Sequence, residues 1–263
     1  MAKTLILLGC CTLLAACETA PPPAKVGDAT GALNAVAWAQ TAAEHDAVCR
    51  QVFAAATRRV AELAGALDGA QRGAVIVDVD ETVLDNSPHM ARLVLDQQTF
   101  HAATWAAWCT EAKAAPIPGA LDFARFCHER NVTVFYVTNR DRVLEEATRR
   151  NLREQGFPLA DRDGIDVVLC LGEVDGKSGK DARRAQVAKH FTVLVLVGDD
   201  LGDFLEPRPS VAERRRQLEE HAHHLGTRWF VLPNPMYGSW ERAARAGNPD
   251  AFQGKMRALD PRR

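Results

Sequence analysis

The sequence predicts an α/β protein with a doubly wound parallel sheet flanked by helices and a small, mainly helical cap. Apolar runs rich in Val and Ile recur along the chain, as in strands that are buried on both faces of a parallel sheet. Segments with helical periodicity lie between these runs, which is the alternation typical of this fold class. The 263 residues, 47% of them hydrophobic, are enough for one sizeable core.

Five segments are predicted to be strands. They are AVIVDVD (74–80), VTVFYVTN (132–139), DVVLCLG (166–172), TVLVLVGDD (192–200) and the weaker RWFVLPN (228–234). Four helices are predicted between or after them, within 118–131, 142–156, 180–191 and 210–226. An Ala-rich region from Asn34 to Leu67 predicts one long or two shorter helices, and 83–116 forms an irregular insertion after the first strand.

The first residues predict export from the cytoplasm. Lys3 and the apolar run LILLGCCTLLAA predict a signal peptide over 1–16, too short to span a bilayer. The sequence LAAC, which ends at Cys17, resembles the bacterial lipobox, so Cys17 is predicted to carry lipid at the start of a Pro-rich tether over 17–30. The alternative is an ordinary signal peptide that happens to contain Cys17. Glu18 after Cys17 resembles known sorting patterns that favour the outer membrane.

Charge and cysteine content limit the remaining function classes. The formal net charge is −2 and the charges are interspersed, so nucleic acid is not an expected partner. Four cysteines remain after Cys17, an even number in an oxidising compartment: Cys49, Cys109, Cys127 and Cys170. Three pairings are open to them, and buried free thiols are an equal alternative.

Polar motifs follow three of the predicted strands. They are DVDET, VTNRD and GDDLGDF, and the carboxyl ends of parallel strands meet at one edge of a sheet. Asp78, Asp80, Thr138, Asp199 and Asp203 are therefore expected to converge. Several carboxylates in one pocket repel one another unless a cation neutralises them, and an oxygen-rich site suits Mg²⁺. A calcium-binding EF-hand loop is excluded because Val83 and His89 stand where Gly and Glu are needed.

These motifs resemble those of the haloacid dehalogenase superfamily. Within it, the stretches DVDETVLDNSP, FYVTNR, KSGKDARR, VGDDLGDF and LPNPMYGSWE are similar to the class C acid phosphatases, bacterial outer-membrane lipoproteins that include 5′-nucleotidases. The resemblance covers nearly the whole mature chain and implies a phosphatase domain over 31–263, with a cap from about 31–70 and 83–116. Two departures are Asp200, where the family more often has Asn, and His89, where an aromatic residue is common.

The resemblance implies a role for each motif residue. Asp78 would attack phosphorus and form an aspartyl-phosphate, and Asp80 would act as general acid and then base. Asp78, Asp199 and the backbone carbonyl of Asp80 would hold the metal, with Asp203 supporting them. Thr138 would bind the phosphoryl oxygens.

Further residues are predicted to support catalysis or bind substrate. Lys180 would neutralise the charge that develops on the phosphoryl group, with Lys177 as its rival. Asn139, Trp105, Trp108 and Tyr237 are predicted to contact substrate, the aromatic residues as a platform for a nucleobase. The alternative for the aromatic residues is a scaffold role.

The predicted function is Mg²⁺-dependent hydrolysis of phosphate monoesters, with nucleoside 5′-monophosphates as the favoured substrates. One alternative is a broad-specificity phosphatase or phosphotransferase. Another is a non-catalytic surface-binding lipoprotein, which the intact set of motif residues argues against. The sequence leaves a homodimer open.

Overall fold

The computed structural model describes residues 31–159, 164, 166–174, 176–206 and 208–261. The predicted signal peptide, Cys17 and most of the tether lie outside these residues. In the described part of the chain, no helix is both long enough and apolar enough to cross a membrane.

A five-stranded parallel sheet forms the centre of the molecule. The strands in chain order are β1 (Gly73–Val77), β2 (Leu84–Asp85), β3 (Ala115–Pro116), β4 (Thr133–Asp141), β5 (Val168–Leu171), β6 (Thr192–Gly198) and β7 (Trp229–Val231). The central sheet has the order β5-β4-β1-β6-β7 with every pair parallel, while β2 and β3 form a separate antiparallel pair. The predicted fold class is confirmed, and each of the five predicted strands is present.

Ten α-helices are found among the described residues. They are α1 (Leu33–Thr41), α2 (Ala43–Gly65), α3 (Ser87–Leu95), α4 (Ala102–Glu111), α5 (Ala120–Glu129), α6 (Glu145–Glu154), α7 (Asp181–Ala188), α8 (Val211–Glu220), α9 (Ser239–Arg245) and α10 (Ala251–Ala258). Short 3₁₀ turns follow β4, β6 and α8. The sheet order reverses at β1, so the connections leave β1 towards both sides and its carboxyl end lies at the switch point.

Helix α2 belongs to the layer that covers the sheet. Its buried stripe is Cys49, Phe53, Ala56 and Val60, which are spaced as one face of a helix and belong to the main core cluster. The helix packs against α5 and β6. Of the region 31–70 that was predicted to contribute to a cap, α2 is therefore a flanking helix, whereas α1 contacts α3 of the insertion.

The insertion forms a small unit of β2, α3, α4 and β3 after the carboxyl end of β1. Its interior includes Leu93 and Trp108, which are 5% and 4% exposed. Helix α4 packs against α6 and against the 3₁₀ turn that follows β4. This placement brings the insertion next to the motif residues that follow β1 and those at the end of β4.

The four described cysteines are buried free thiols. Burial is the main reason that the pKa values of the thiols of Cys49, Cys109 and Cys127 are raised to about 12. The pKa of Cys170 is raised for the same reason. They therefore behave as small apolar core residues.

Candidate active site

The end of β1 begins the site. Asp78 extends the pairing of β1 with β6, since its N–H donates to the carbonyl of Val197 at 3.0 Å. The chain then turns tightly, because the carbonyl of Val79 accepts from the N–H groups of Val83 at 3.0 Å and Leu84 at 2.9 Å. Glu81 within this turn has a left-handed φ of 56°. Beyond the strand, the turn brings both Asp78 and Asp80 to the wall of one cavity.

Asp78 is paired with a buried lysine. Nζ of Lys180 donates to Oδ1 of Asp78 and, at 2.7 Å, to Oδ1 of Asp203. No described residue donates to Oδ2 of Asp78. Burial raises the pKa of Asp78 to about 7, with Lys180 opposing the shift and Asp203 and Asp80 adding to it. Burial lowers the pKa of Lys180, but its two carboxylate partners outweigh that effect and raise it.

A cluster of three carboxylates lies at the ends of β1 and β6. Asp78, Asp199 and Asp203 each offer one oxygen, and these oxygens lie within 4.8 Å of one another. Asp199 accepts from Thr82 at 3.1 Å and from Asn234 at 2.8 Å. Burial, together with the nearby charges of Asp203 and Asp78, raises the pKa of Asp199 well above its usual value. Lys180 contacts two of the three carboxylates, and Asp199 is not among its partners.

Asp203 is held by Lys180 and by the turn that follows β6. Besides Lys180, it accepts from the backbone N–H of Asp200 at 2.9 Å. Gly198 permits this position, because a Cβ there would lie 2.5 Å from the Cβ of Asp203. Only a glycine lets the 3₁₀ turn after β6 fold back so closely on the strand.

Asp80 is fixed by a buried arginine that the sequence did not single out. Arg140 is 1% exposed, and its Nε and Nη2 lie 2.9 Å and 2.8 Å from Oδ1 of Asp80. Asn86 donates to the same oxygen at 2.9 Å. Oδ2 of Asp80 has a single long hydrogen bond among the described residues, from Thr138 at 3.3 Å. One oxygen is therefore anchored, and the other is left almost free.

The anchoring network continues into the insertion. Asn86 Oδ1 accepts from Nε1 of Trp108 at 2.7 Å and from Arg140 at 3.3 Å. Glu81 accepts from the backbone N–H of Asn86 at 2.9 Å and from its side chain at 3.1 Å. Burial raises the pKa of Glu81 well above its usual value, and the charge of Asp80 adds to this. The insertion and the β1 turn are thus joined by one buried polar network.

The end of β4 supplies a second pair of predicted residues. Thr138 is buried, and its Oγ1 accepts from the N–H of Arg140 at 3.0 Å. Asn139 lines the cavity and accepts from Nη2 of Arg183 at 2.6 Å. Arg183 is 1% exposed and also donates to the carbonyl of Thr138. Helix α7 therefore braces the end of β4.

The three predicted aromatic contacts lie in different surroundings. Tyr237 lines the cavity, and its hydroxyl donates to Glu81. Trp105 is half-buried and covers Arg140, whose Cζ is 5.5 Å from the ring centroid. Trp108 is 4% exposed, and its indole N–H donates a hydrogen bond to Asn86. Both facts favour the scaffold alternative for this residue. Neither tryptophan is among the described residues that line the cavity.

The two departures from the family pattern also have a structural setting. Asp200 accepts from the N–H of Ser239 at 2.7 Å and from its hydroxyl at 2.5 Å, with Nη2 of Arg214 4.0 Å away. His89 is 3% exposed and lies against Trp105 at 5.4 Å between ring centroids. Burial lowers the pKa of His89, and Arg92 adds to the effect.

The structure thus brings most of the predicted residues to one place. Asp78, Asp80, Asn139, Lys180, Asp199, Asp203 and Tyr237 line a single cavity of 690 Å³. Lys177 is exposed and outside this lining, so Lys180 is the lysine that contacts Asp78.

Three site residues were not predicted from the sequence, although each lies within a quoted motif. They are Arg140, Glu81 and Asn86. A charged residue at the end of an apolar strand pattern was the signal for Arg140, which lies within β4.

Comparison with known families agrees with this arrangement. The model of the haloacid dehalogenase (HAD) superfamily, subfamily IIIB (acid phosphatase), matches residues 6–240. The chain therefore belongs to this family of acid phosphatases.

Solved structures and a curated relative are similar to the chain. The class C acid phosphatase from Bacillus anthracis superposes with a TM-score of 0.81 at 30% identity, covering 89% of this chain and 98% of that chain. A structure of the class C acid phosphatase from Bacillus anthracis with tungstate bound gives a TM-score of 0.81 at 29% identity, with the same coverage. Acid phosphatase 1 of Solanum lycopersicum is 25% identical over 166 residues, which are 62% of this chain and 57% of that protein. The match thus spans less than two thirds of this relative's length.

Proposed function

We propose that the chain hydrolyses phosphate monoesters through an aspartyl-phosphate on Asp78. The observation that carries the proposal is the pairing of Asp78 with buried Lys180 at a cavity that Asp80 also lines. Membership of an acid phosphatase family supports the same reaction.

The carboxylate cluster fits a hard divalent cation, for which we propose Mg²⁺. Three acidic side chains lie together, and burial, with the charges of the neighbouring carboxylates, raises the pKa values of Asp78 and Asp199. An oxygen-rich carboxylate site of this kind suits a hard cation. Asp78, Asp199 and the backbone carbonyl of Asp80 would hold the ion. Both carboxylate oxygens of Asp203 already accept hydrogen bonds, one from Lys180 and one from the N–H of Asp200. Asp203 is therefore suited to supporting the metal ligands. When bound, the metal neutralises the substrate's phosphoryl charge and orients it.

Asp78 is the proposed nucleophile. Its Oδ2 has no donor among the described residues, so this oxygen is available to attack phosphorus while Lys180 holds Oδ1. The new O–P bond forms as the ester O–P bond breaks, and the bonding pair leaves with the ester oxygen. Lys180 stabilises the negative charge that accumulates on the phosphoryl oxygens.

Asp80 is the proposed acid and base. Protonated Oδ2 gives its proton to the leaving oxygen, and the resulting carboxylate then takes a proton from the water that attacks the aspartyl-phosphate. That attack breaks the bond between Asp78 and phosphorus and releases inorganic phosphate. Arg140 and Asn86 hold Oδ1 and so keep Oδ2 aimed during both steps. Thr138, which touches Oδ2, is proposed to bind the phosphoryl oxygens.

Nucleoside 5′-monophosphates are the proposed substrates. The cavity of 690 Å³ lies within the range for small-molecule sites and exceeds what a phosphoryl group alone requires. Tyr237 offers an aromatic face on its wall, and Asn139 adds a polar contact. The related Bacillus anthracis enzyme has been solved with tungstate, an oxyanion, which supports an anion site in this family. A broad-specificity phosphatase is the second candidate, because only one of the three candidate aromatic residues lines the cavity.

We further propose that lipid on Cys17 anchors the domain to the outer membrane. The lipobox LAAC and the Pro-rich segment after it support this location. The tether would hold the catalytic domain away from the bilayer surface.

A hydrolysis assay tests the proposed function. The full mature domain should release p-nitrophenol from p-nitrophenyl phosphate with added Mg²⁺ and lose most activity after chelation. Re-addition of Mg²⁺ should restore the rate. Absence of hydrolysis across acidic and neutral pH, with the domain folded and Mg²⁺ present, would reject the proposal.

A further inference from the structure

The cavity extends well beyond the catalytic carboxylates. Its far wall is built from the start of α8, the start of α9 and the segment before each helix, including Ser210 and Ser239. Two arginines from these different helices, Arg214 and Arg242, line the same wall. Neither has a role in the proposed reaction.

Basic side chains outnumber acidic ones on this wall, where Arg208, Arg214 and Arg242 lie with Asp200 and Glu206. Arg214 is 13% exposed, donates to the hydroxyl of Ser239 at 2.8 Å and has one carboxylate, Asp200, 4.0 Å away. Among the described residues, no carboxylate forms a salt bridge with Arg242. The neighbouring Glu241 pairs instead with Arg245 and Lys255.

The two guanidinium groups are close enough to affect each other. Burial lowers the pKa of Arg214, Asp200 opposes the shift, and the charge of Arg242 adds to the lowering. Like charges that face one cavity repel one another, and a bound anion relieves the repulsion. Guanidinium forks also match carboxylate and phosphate groups with paired hydrogen bonds.

We propose that the cavity binds phosphomonoesters that carry a second anionic group, a carboxylate or another phosphate. Arg214 and Arg242 hold this second group while the scissile phosphoryl group lies at Asp78. The inference rests on the proposed function and narrows its substrate class.

The test compares matched substrates that differ in the second anion. One pair is 3-phosphoglycerate and glycerol 3-phosphate, and the other is adenosine 3′,5′-bisphosphate and adenosine 5′-monophosphate. The measured quantity is the ratio of kcat/KM values within each pair. The enzymes are the wild type, Arg242→Gln and the control Arg216→Gln, which removes an exposed arginine of α8 outside the cavity lining. Arg214→Gln is less suitable because it also breaks the contact with Ser239.

In Arg242→Gln, the ratio should fall roughly 10-fold or more for at least one pair, since a hydrogen bond to a charged group is lost. The control should keep the wild-type ratio. A fall confined to one pair identifies the second group as carboxylate or phosphate.

Unchanged ratios in Arg242→Gln for both pairs, or an equal fall in Arg216→Gln, would overturn the inference. If wild type hydrolyses p-nitrophenyl phosphate in that case, the proposed function survives and only the second anion site is rejected. A folded wild-type chain that hydrolyses no phosphomonoester rejects both.

Discussion

Replacement of Arg140 by lysine should damage both stability and the protonation of the leaving group. Arg140 makes two contacts to Oδ1 of Asp80, at 2.9 Å and 2.8 Å, and one each to Thr148 at 3.2 Å and Asn86 at 3.3 Å. Lysine keeps the charge but lacks the planar fork that reaches these acceptors together. The side chain is 1% exposed, so water cannot replace the lost bonds.

The size of the effect follows from the contacts. The two hydrogen bonds to the neutral acceptors Thr148 and Asn86 contribute about 0.5–1.5 kcal/mol each, and one bond to the carboxylate about 1.5–3 kcal/mol. The free energy of unfolding should therefore fall by about 2.5 to 6 kcal/mol, or roughly 5 to 24 °C in Tm for a domain of this size. General acid catalysis raises the rate by about 10²–10⁴-fold. An Asp80 carboxyl in the wrong orientation should therefore lower kcat by about 10- to 100-fold for an alkyl phosphate.

The assay separates a role through Asp80 from loss of structure alone. With p-nitrophenyl phosphate, whose leaving group needs little protonation, Arg140→Lys should lose less than about threefold in kcat. Arg183→Lys is the matched control, because Arg183 is also 1% exposed but braces Thr138 and Asn139 without touching Asp80. Equal losses on the two substrates in Arg140→Lys would refute the reasoning.

Three further predictions concern the acid, the aromatic residues and the anchor. Asp80→Asn should lower kcat more for alkyl phosphates than for p-nitrophenyl phosphate, and equal losses would count against its role as acid. If Tyr237 stacks on a base, Tyr237→Ala should lower kcat/KM for a nucleoside 5′-monophosphate by about 5- to 150-fold relative to an aryl phosphate. Tyr237→Phe should keep that ratio, Trp105→Ala tests the half-buried Trp105 ring in the same way, and Trp108→Ala should mainly lower Tm. Cys17→Ser should release the protein from membranes, and retention after alkaline washing would show that lipid on this residue is not the anchor.

The sequence predicted the sheet well because its signal is local. Each strand of a buried parallel sheet must be apolar along its length, so the five runs could be read one at a time. The helix at Ala43–Gly65 was also predicted, but an Ala-rich amphipathic pattern gives no sign of which surface the helix covers. Its burial against the sheet depends on contacts with Phe123 and other residues far along the chain.

The convergence of the motif residues was predictable for a similar reason, because the carboxyl ends of parallel strands lie at the same edge of a sheet. The contacts among them were not. Arg140 reaches Asp80 across 60 positions of sequence, and Tyr237 reaches Glu81 across 156. These contacts depend on how the insertion and the last helices pack in the folded chain. No local sequence pattern indicates that packing. The sequence also did not predict that Arg214 and Arg242 line one wall of the cavity, because the two residues belong to separate helices.

The most direct test of the proposed mechanism is to trap the phosphorylated enzyme. The chain with Mg²⁺ is mixed with excess p-nitrophenyl phosphate, quenched in acid within a turnover, digested and analysed by mass spectrometry. The account predicts one added phosphoryl group on the peptide that contains Asp78, sensitive to hydroxylamine as an acyl phosphate is, and absent in Asp78→Asn. A phosphoryl group on another residue, or a quenched Asp78→Asn enzyme that carries the same label, would contradict it.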